Sequence, residues 1–352
     1  MDEMVKISKS AVDEILPGYS NANLQVGEEQ SVYTMLQALL IPSANEAAYA
    51  LAEHVSGSAE AFAKLCNKRA KELGCKKLHF VNPNGVHDNN HYCCAYDLYL
   101  IARECQKYET FNEIVKTSSF SVPPSKIYKK NDRTYQNTNE LIIPTSANYY
   151  FPSCTGIKTG HTTPAGECLV SSSSKDGLNL ICVVLHGQIK SNGINERFSD
   201  SKRLFEYVYN KYSYKKIADK SEPLGQIEVK GATDNIKSIN YYIQTDINSI
   251  SPNSSEFENI KPEITIEESI KAPIKQNQVL GTATYKIDGL NYSTNIISRD
   301  NIEKMSYGIY IVISILIIIG FLIIIIALRK KEIIKSKKAA SFRRSAVTKD
   351  RF

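Results

Sequence analysis

The chain has 352 residues, of which 42% are apolar, and it carries a formal net charge of +6. This length allows two domains with a sizeable core, and the composition excludes a collagen-like, coiled-coil or wholly disordered chain. The positive charge does not indicate nucleic-acid binding, because residues 329–352 hold ten basic side chains and only two acidic ones. We therefore predict no nucleic-acid partner.

The N-terminal part of the chain has the apolar spacing of amphipathic helices. Pro42 ends the first of these, because proline disfavours the helical conformation of the residue before it. Glycine and serine residues supply the stop and N-cap signals of the next two helices. The predicted helices are Val32–Leu40, about Glu46–His54 stopped by Gly57, Ala59–Leu73 between the N-cap Ser58 and the C-cap Gly74, and Ala95–Tyr108.

From Gly166 the pattern changes to short apolar runs. Cys168–Ser172 and Leu178–Leu185 flank Lys175-Asp176-Gly177, which is typical of a tight β-hairpin. A closing helix is predicted over Asp200–Tyr212. Helices followed by strands and a final helix predict an α+β domain over residues 1–212.

Residues 213–300 show short strands at turn-length spacing, which predicts a small all-β domain. The clearest strands are Gly225–Val229 and Gln278–Tyr285, and Asp288-Gly289 predicts a tight hairpin. No catalytic cluster is visible in this segment. We interpret it as a spacer, with the binding of a partner as the alternative.

Tyr307–Leu328 is an uncharged segment of 22 residues, mostly Ile and Leu. A helix of this length spans a bilayer core of roughly 30 Å. A buried core helix is the alternative, but such a helix usually has a polar face. Because positive flanks stay inside, the basic tail 329–352 predicts a single-pass membrane protein whose N-terminal 300 residues lie outside and whose tail is cytoplasmic.

An extracellular domain needs an export signal, and the N-terminus does not resemble one. Met1-Asp2-Glu3-Met4 is acidic and no apolar stretch follows it. The expectation is therefore that the chain is a fragment, or that its start lies downstream of the true one.

Cysteine and histidine spacings indicate neither a disulfide framework nor a metal site. The eight cysteines lie between Cys66 and Cys182, mostly in apolar settings, and we interpret them as buried thiols, with disulfides as the alternative. His87 and His91 are four residues apart, but their loop context lacks the helical glutamate of a zinc protease. No metal or other cofactor is predicted.

Two tripeptides carry candidate chemistry. Ser43-Ala44-Asn45 lies at a junction of two predicted helices, where the two polar side chains can point into one cleft. A hydroxyl there can relay a proton, and an amide can hold a carbonyl group. The alternative is that Ser43 caps a helix.

The second tripeptide, Lys158-Thr159-Gly160, occurs once. Lys158 offers a positive charge, Thr159 a hydroxyl for a carboxylate, and a glycine on an edge strand allows the close approach of a substrate backbone. An ordinary turn with a solvated lysine is the alternative. The presence of both this tripeptide and the Ser43 tripeptide in one chain favours a functional site over an ordinary turn.

The flanking residues extend the two tripeptides. The relevant stretches are Ser43-Ala44-Asn45-Glu46-Ala47-Ala48, Leu51-Ala52-Glu53-His54, Phe80-Val81-Asn82-Pro83-Asn84-Gly85, Ala95-Tyr96-Asp97-Leu98, Gly156-Ile157-Lys158-Thr159-Gly160, Ala165-Gly166, Lys271-Ala272-Pro273 and Leu280-Gly281. Together they resemble the serine-type D-alanyl-D-alanine carboxypeptidases, the low-molecular-mass penicillin-binding proteins of peptidase family S11. The resemblance covers about residues 1–300.

The resemblance implies a penicillin-binding or β-lactamase-like transpeptidase domain, with helices on an antiparallel sheet, a small all-β domain and a C-terminal transmembrane helix. The implied reaction removes the terminal D-alanine from peptidoglycan stem peptides that end in D-Ala-D-Ala, through an acyl-enzyme. β-Lactams would be covalent inhibitors of the full-length enzyme. No cofactor is implied.

The resemblance also assigns roles to residues. Ser43 would assist proton transfer and Asn45 would orient the substrate. Lys158, itself counted among the catalytic residues, would hold the terminal carboxylate. The other substrate-binding residues would be Thr159, Gly160 and His161, the last through a backbone N–H in the oxyanion hole, while its side chain would line the cleft.

The family's nucleophile is the serine of a Ser-x-x-Lys motif that precedes Ser43, and no such motif lies before Ser43 in this chain. Three matches follow Lys158: Ser172-Ser173-Ser174-Lys175, Ser199-Asp200-Ser201-Lys202 and Ser213-Tyr214-Lys215-Lys216. We reject them because their order is wrong for the family, and we interpret Ser199 as an N-cap. The nucleophile is expected before Met1, so the chain as given is expected to be inactive.

Three other functions are weighed. An α/β hydrolase would need Gly-x-Ser-x-Gly, which is absent. A β-lactamase shares the motifs, but the β domain and the membrane helix favour a carboxypeptidase. A non-catalytic protein that binds stem peptides without cleaving them remains the main alternative.

Overall fold

The computed structural model describes residues 1–233, 236–254, 260–287 and 289–347. The chain forms two compact units. The first comprises Met1–Lys215 together with Ile250–Glu256, and the second comprises Lys216–Ser249 and Phe257–Phe352.

The first unit begins with a two-stranded antiparallel sheet and a series of helices. Strands β1 and β2 pair, and α1 lies between them in the chain. The elements are β1 (Met4–Lys6), α1 (Lys9–Asp13), β2 (Glu29–Ser31), α2 (Val32–Leu40), α3 (Asn45–Ser56), α4 (Ala59–Glu72), α5 (Ala95–Cys105) and α6 (Glu109–Lys116).

The local signals that predict these helices are confirmed. Helix α2 has the predicted bounds, and the left-handed Gly57, with φ of 78°, ends α3. The Ser58 hydroxyl caps α4 by accepting a hydrogen bond from the Ala61 N–H at 3.1 Å. Two ends were predicted too late, because α4 ends at Glu72 with Leu73 as its C-cap, and α5 ends at Cys105.

The rest of the first unit contains a hairpin, a three-stranded sheet and a closing helix. The three-stranded sheet is antiparallel in the order β5-β6-β7, so β5 lies at its edge. The elements are β3 (Ser119–Ser121), β4 (Thr134–Gln136), a 3₁₀ turn (Glu140–Ile142), β5 (Cys154–Thr162), β6 (Gly166–Lys175), β7 (Leu178–Gly187) and α7 (Glu196–Lys211).

The predicted hairpin between β6 and β7 is confirmed. Asp176 and Gly177 have φ of 49° and 80°, the positive values that a two-residue hairpin loop of type I′ requires. The N-cap prediction for Ser199 is wrong. Helix α7 begins four residues before the predicted start at Asp200, and its N-cap is Asn195, whose side chain accepts the Arg197 N–H.

The core of the first unit holds the α2–α3 junction in place. The fully buried side chains around it are mostly small, and small side chains let two helices approach closely. They include Met35, Ala38, Ile41, Ala44 and Ala47, each 0% exposed. The junction that carries Ser43 is therefore built into the core rather than placed on a free loop.

Strand β5 is held against the helices by a second cluster, formed by Ala102 of α5, Val115 of α6 and Ile157. Gly156 permits this approach, because a Cβ at this position would lie 2.7 Å from Val115 Cγ2. On the other side, Phe198 and Phe205 of α7 are buried where this helix packs on β6 and β7. Packing thus fixes the part of the edge strand around Gly156 and Ile157.

The second unit contains mainly β-strands. The predicted strand 225–229 lies within the observed strand Pro223–Lys230, and the predicted strand 278–285 begins one residue before the observed strand Val279–Ile287. Its six-stranded sheet has the order β12-β14-β15-β10-β9-β13, and only the β13–β9 pair is parallel. Asp288 of the predicted turn lies outside the described residues. The strands from residue 212 onward are β8 (Tyr212–Ala218), β9 (Pro223–Lys230), β10 (Ser238–Ile243), β11 (Ile247–Pro252), β12 (Glu263–Ile266), β13 (Ser269–Lys271), β14 (Val279–Ile287) and β15 (Leu290–Ser298). Strands β8 and β11, which form a sheet of their own, each contain residues assigned to the first unit.

The C-terminal helix α8 spans Gly308–Val347. Its segment Tyr310–Ser341 contains a window with a mean hydropathy of 3.6, long and apolar enough to cross a membrane. The large apolar side chains described in this segment are exposed, which rules out the buried core helix. Lys349, Asp350 and Arg351 of the predicted tail lie outside the described residues.

Candidate active site

Ser43 lies between α2 and α3 in a left-handed backbone conformation with φ of 65°. A residue other than glycine rarely adopts this conformation, which costs about 1–2 kcal/mol. Ser43 is not the cap of α3, since the N-cap is Ala44 and no side chain caps the helix. The Ala44 N–H donates to the Ala38 carbonyl at 2.9 Å, which fixes the turn.

Asn45 is the first residue of α3, and its side-chain amide and backbone N–H both bind the loop that contains Ser20. Its Nδ2 donates to the Ser20 carbonyl at 2.8 Å, and its backbone N–H donates to the same oxygen at 3.1 Å. A carboxamide has a second N–H and a carbonyl oxygen, so this contact does not exhaust its hydrogen-bonding capacity.

The neighbouring Glu46 completes the attachment of this loop. Its fully buried carboxyl group accepts hydrogen bonds from the Ala22 N–H at 2.6 Å and the Leu24 N–H at 3.3 Å. Burial raises the pKa of Glu46, and the two N–H donors partly oppose this. The loop at residues 20–24 and the Ser43–Asn45 turn therefore form one rigid piece.

Lys158, Thr159 and Gly160 lie on the edge strand β5, opposite Val170, Leu169 and Cys168 of β6. Lys158 is half-buried, and its Nζ donates to the Thr159 carbonyl at 3.0 Å. Burial, with a smaller contribution from the positive charge of Arg197, lowers the pKa of Lys158 to about 8. This ammonium has lost part of its hydration, so a carboxylate that reached it would form a strong ion pair.

Gly160 is exposed, and a Cβ there would meet Cys168 Cβ at 3.8 Å, an ordinary contact. Neither the fold nor the backbone conformation demands glycine at this position. A ligand backbone lying along the edge strand is a physical reason for it.

Thr138, which the sequence analysis did not identify, connects the two tripeptides. Its Oγ1 lies 2.6 Å from Thr159 Oγ1, and its backbone N–H donates to the Ile41 carbonyl at 3.2 Å. Ile41 precedes Ser43 by two residues. The structure thus links the Lys158 strand to the α2–α3 junction through Thr138.

Arg197 and Glu167 form a charged cluster at the same end of β5. The Glu167 carboxylate lies 2.6 Å from Arg197 Nη1 and 2.9 Å from His161 Nδ1, and it also accepts from Asn195 Nδ2 at 2.9 Å. Arg197 Nη1 further approaches the Gly160 carbonyl at 3.5 Å. The His161 ring is exposed and pairs with a carboxylate, which suits a residue that lines the site.

The sequence analysis did not identify Arg197 or Glu167. An arginine at the start of a closing helix has no local pattern that links it to a distant strand. Glu167 could have been identified only from the pairing of β5 with β6, which places it opposite His161.

The three Ser-x-x-Lys serines lie elsewhere. Ser172 is buried in β6 and shares a hydrogen bond with Thr155, Ser199 lies in α7 with its hydroxyl directed at the Glu196 carbonyl, and Ser213 lies in β8. Within the residues that the structure describes, none of these serines is hydrogen-bonded to Ser43 or Lys158. Their rejection as nucleophiles remains a prediction.

All eight cysteines, which lie between residues 66 and 182, are thiols in the structure, but the prediction that they are buried is wrong for most of them, since only Cys154 and Cys182 are buried and Cys93 is exposed. Burial raises the pKa of Cys154 to about 11. His91 Nδ1 accepts the Val81 N–H at 3.3 Å, and its ring packs edge-on against Phe80. Among the described residues there is no group of three side chains that could hold a metal ion.

Comparison with known families identifies the class of protein. A family model for D-alanyl-D-alanine carboxypeptidase matches residues 1–188, and a model for the C-terminal domain of penicillin-binding protein 5 matches residues 212–304. The chain belongs to the D-alanyl-D-alanine carboxypeptidase family, peptidase family S11, whose members are serine hydrolases.

Individual relatives agree with this assignment. The D-alanyl-D-alanine carboxypeptidase DacF of Bacillus subtilis is 31% identical over 310 residues, covering 87% of this chain and 75% of that protein. The D-alanyl-D-alanine carboxypeptidase DacC of Escherichia coli is 26% identical over 309 residues, covering 86% of this chain and 72% of that protein.

Solved structures share the fold. A peptidoglycan synthesis regulatory factor of Streptococcus pneumoniae matches with a TM-score of 0.67 and 25% identity, covering 86% of both chains. Penicillin-binding protein 5 of Haemophilus influenzae matches with a TM-score of 0.60 and 25% identity, covering 86% of this chain and 83% of that one. The predicted fold class and family are confirmed, and the comparisons do not favour the non-catalytic or β-lactamase alternatives.

Proposed function

We propose that the site between the Ser43 turn and β5 binds the D-Ala-D-Ala end of peptidoglycan stem peptides. The observation that supports this proposal is that Thr138 is hydrogen-bonded both to Thr159 and to Ile41, which precedes Ser43 by two residues. Lys158 supplies positive charge on the edge strand β5, and the guanidinium of Arg197, which is ion-paired with Glu167, approaches the Gly160 carbonyl of the same strand. This is the chemistry that a peptide with a free terminal carboxylate requires.

The roles follow from the positions of the groups. Lys158 and Thr159 hold the carboxylate by charge and by a hydroxyl, and the exposed Gly160 lets the peptide lie along β5. Asn45 orients the peptide through its carbonyl oxygen and its second side-chain N–H, which the hydrogen bond to Ser20 does not use. Ser43 relays a proton.

Acyl transfer also needs an oxyanion hole, and the backbone N–H of His161 supplies one donor. Removing one such donor costs about 3–4 kcal/mol in other acyl-transfer sites. β-Lactams also carry a carboxylate beside a reactive carbonyl group, so the same residues hold them.

Acyl transfer further requires a serine nucleophile with its lysine base, and we assign this role to none of the three Ser-x-x-Lys serines of these 352 residues, because all three follow Lys158 in the chain. We therefore expect the 352-residue chain in detergent micelles to bind diacetyl-L-Lys-D-Ala-D-Ala more tightly than its C-terminal amide. We also expect no covalent adduct with a fluorescent penicillin on a denaturing gel.

Equal binding of the acid and the amide would refute the carboxylate site. A covalent adduct would show that a serine within the chain is the nucleophile. The variants Ser172→Ala, Ser199→Ala and Ser213→Ala would then identify it, and the rejection of these three serines would be wrong.

We further propose that α8 anchors the chain in the bacterial cell membrane as a single span, with the residues before it outside and the basic tail in the cytoplasm. The support is the charge asymmetry, since basic residues follow the apolar segment directly. These residues also favour contact with anionic lipid on the inner surface.

A membrane-impermeant maleimide tests this orientation on intact cells. The exposed Cys93 is expected to react, and Cys93→Ser is expected to lower the labelling. A cysteine introduced by Ser336→Cys in α8 is expected to add labelling only after the membrane is permeabilised. Reaction of this cysteine on intact cells would reverse the proposed topology.

A further inference from the structure

Thr138 occupies a short linker between β4 and the 3₁₀ turn at Glu140–Ile142. Its two polar contacts go to different parts of the site. The hydroxyl meets Thr159 Oγ1 at 2.6 Å, and the backbone N–H meets the Ile41 carbonyl at 3.2 Å. No other described residue is hydrogen-bonded to both Thr159 and the α2–α3 junction.

The two neighbours of Thr138 fix its position. Asn137 and Asn139 are 3% and 0% exposed. Asn137 Nδ2 donates to the Thr117 carbonyl at 3.0 Å, while its Oδ1 accepts the Asn139 N–H at 2.9 Å. Asn139 Oδ1 accepts the Leu141 N–H at 3.2 Å, so the linker backbone is held on both sides of Thr138. The Thr138 hydroxyl is therefore held in a fixed position, as a preorganised site requires.

The hydroxyl pair shares its protons in one of two ways, because each hydroxyl has a single proton to donate. If Thr159 donates to Thr138, its proton is used and it cannot donate to a ligand. If Thr138 donates to Thr159, the Thr159 proton is free for an acceptor on a ligand. A carboxylate accepts only, so its arrival selects the second arrangement, and the chain of donors strengthens each bond.

We propose that Thr138 is a positioning residue that directs the Thr159 hydroxyl proton toward the terminal carboxylate of the peptide. The inference deepens the proposed function and rests on it. Through its N–H, the same residue keeps the carboxylate-binding strand in register with the Ser43 turn. Thr138 thereby contributes to the selection of peptides with a free C-terminus without contacting them.

The test measures binding of diacetyl-L-Lys-D-Ala-D-Ala and its C-terminal amide to the full chain by calorimetry. Thr138→Val removes the hydroxyl but keeps the shape and the backbone N–H. It is expected to weaken binding of the acid about five- to tenfold, the effect of one hydrogen bond, and to leave the amide nearly unchanged. Thr138→Ser, which retains the hydroxyl, is expected to stay within about twofold of the unsubstituted chain.

Thr134→Val is the matched control. Thr134 Oγ1 lies 2.7 Å from Ser121 Oγ, so it forms a similar hydroxyl pair between β3 and β4. Its removal is expected to change neither peptide affinity. In Thr138→Val, protection of the backbone amide of residue 138 against hydrogen exchange will show that its hydrogen bond to the Ile41 carbonyl is retained.

The outcomes distinguish a failure of the Thr138 role from a failure of the proposed function. If the unsubstituted chain prefers the acid and Thr138→Val keeps that preference, or weakens both peptides equally, the role of Thr138 is refuted and the proposed function stands. If Thr138→Ser does not restore binding, the hydroxyl is not the cause. If the unsubstituted chain shows no preference for the acid, the proposed function fails, and the inference fails with it.

Discussion

Replacing Lys158 by methionine is expected to abolish the preference of the chain for peptides with a free terminal carboxylate. The half-buried ammonium lies on the edge strand beside Thr159, and Arg197 adds positive charge to the same region. A hydrogen bond to a charged group contributes about 1.5–3 kcal/mol, so the affinity for the acid is expected to fall about ten- to hundredfold. Calorimetric titration with the acid and the amide measures the change.

The same lysine predicts a pH dependence. Its pKa is about 8, so the positive charge is lost as pH rises through that value. Acid binding by the unsubstituted chain is expected to weaken above about pH 8, by up to tenfold per unit, and Lys158→Met is expected to remove this dependence.

The pH dependence of folding stability is expected to have the opposite sign to that of acid binding. An unfolded lysine titrates near pH 10.4, so between about pH 8 and 10 the unfolded chain binds more protons than the folded chain. The free energy of unfolding is therefore expected to rise with pH in this window, and Lys158→Met should lose that rise.

Lys64→Met is the control, because Lys64 is exposed on α4. It is expected to leave the preference for the acid and its pH profile unchanged. An unchanged preference in Lys158→Met would remove this lysine from the carboxylate site.

Breaking the buried ion pair of Arg133 with Glu28 is expected to produce the largest loss of stability. The guanidinium makes two hydrogen bonds to the carboxylate, at 2.7 and 2.9 Å, and both side chains are at most 2% exposed. Arg133→Met leaves a buried carboxylate without its partner, and such a loss costs about 3–5 kcal/mol. Denaturant unfolding of the full chain, monitored by circular dichroism, measures it.

The pKa of Glu28 gives this prediction a second signature. Burial alone would raise this pKa, but hydrogen bonds from Arg133, Gln30 and the Gln25 N–H outweigh it, so the pKa is lowered. The contribution of the pair is therefore present at neutral pH and is lost as pH falls through the folded-state pKa. In Arg133→Met the carboxyl group takes up a proton, and the stability difference from the unsubstituted chain is expected to narrow in acid.

Two variants serve as controls. Arg69→Met breaks pairs in which the arginine side chain is 53% exposed, and it is expected to change stability by less than about 1 kcal/mol. The double variant Glu28→Leu with Arg133→Met removes both charges and is expected to recover most of the loss. A loss in Arg133→Met no larger than that in Arg69→Met would contradict the prediction.

Much of the secondary structure could be predicted because its signals are local. The bounds of α2, the stop at Gly57, the cap at Ser58 and the β6–β7 turn each depend on a few adjacent residues. The three-residue strands β1 to β4 were not predicted, because such short strands form only when a distant partner is present. Ser199 was misassigned as a cap because Asn195, four residues earlier, performs that role.

The sequence by itself determined the family, the two tripeptides and the apolar C-terminal segment, since motif identity, spacing and hydropathy are properties of the chain as written. Only the tertiary structure decided that Thr138 joins the tripeptides and that Arg197, Glu167 and His161 form one charged cluster. These contacts join residues on separate elements, and the packing of α6 and β6 against β5, together with that of α7 against β6, sets their distances. No periodicity along the chain encodes such distances, because they arise from how the elements pack.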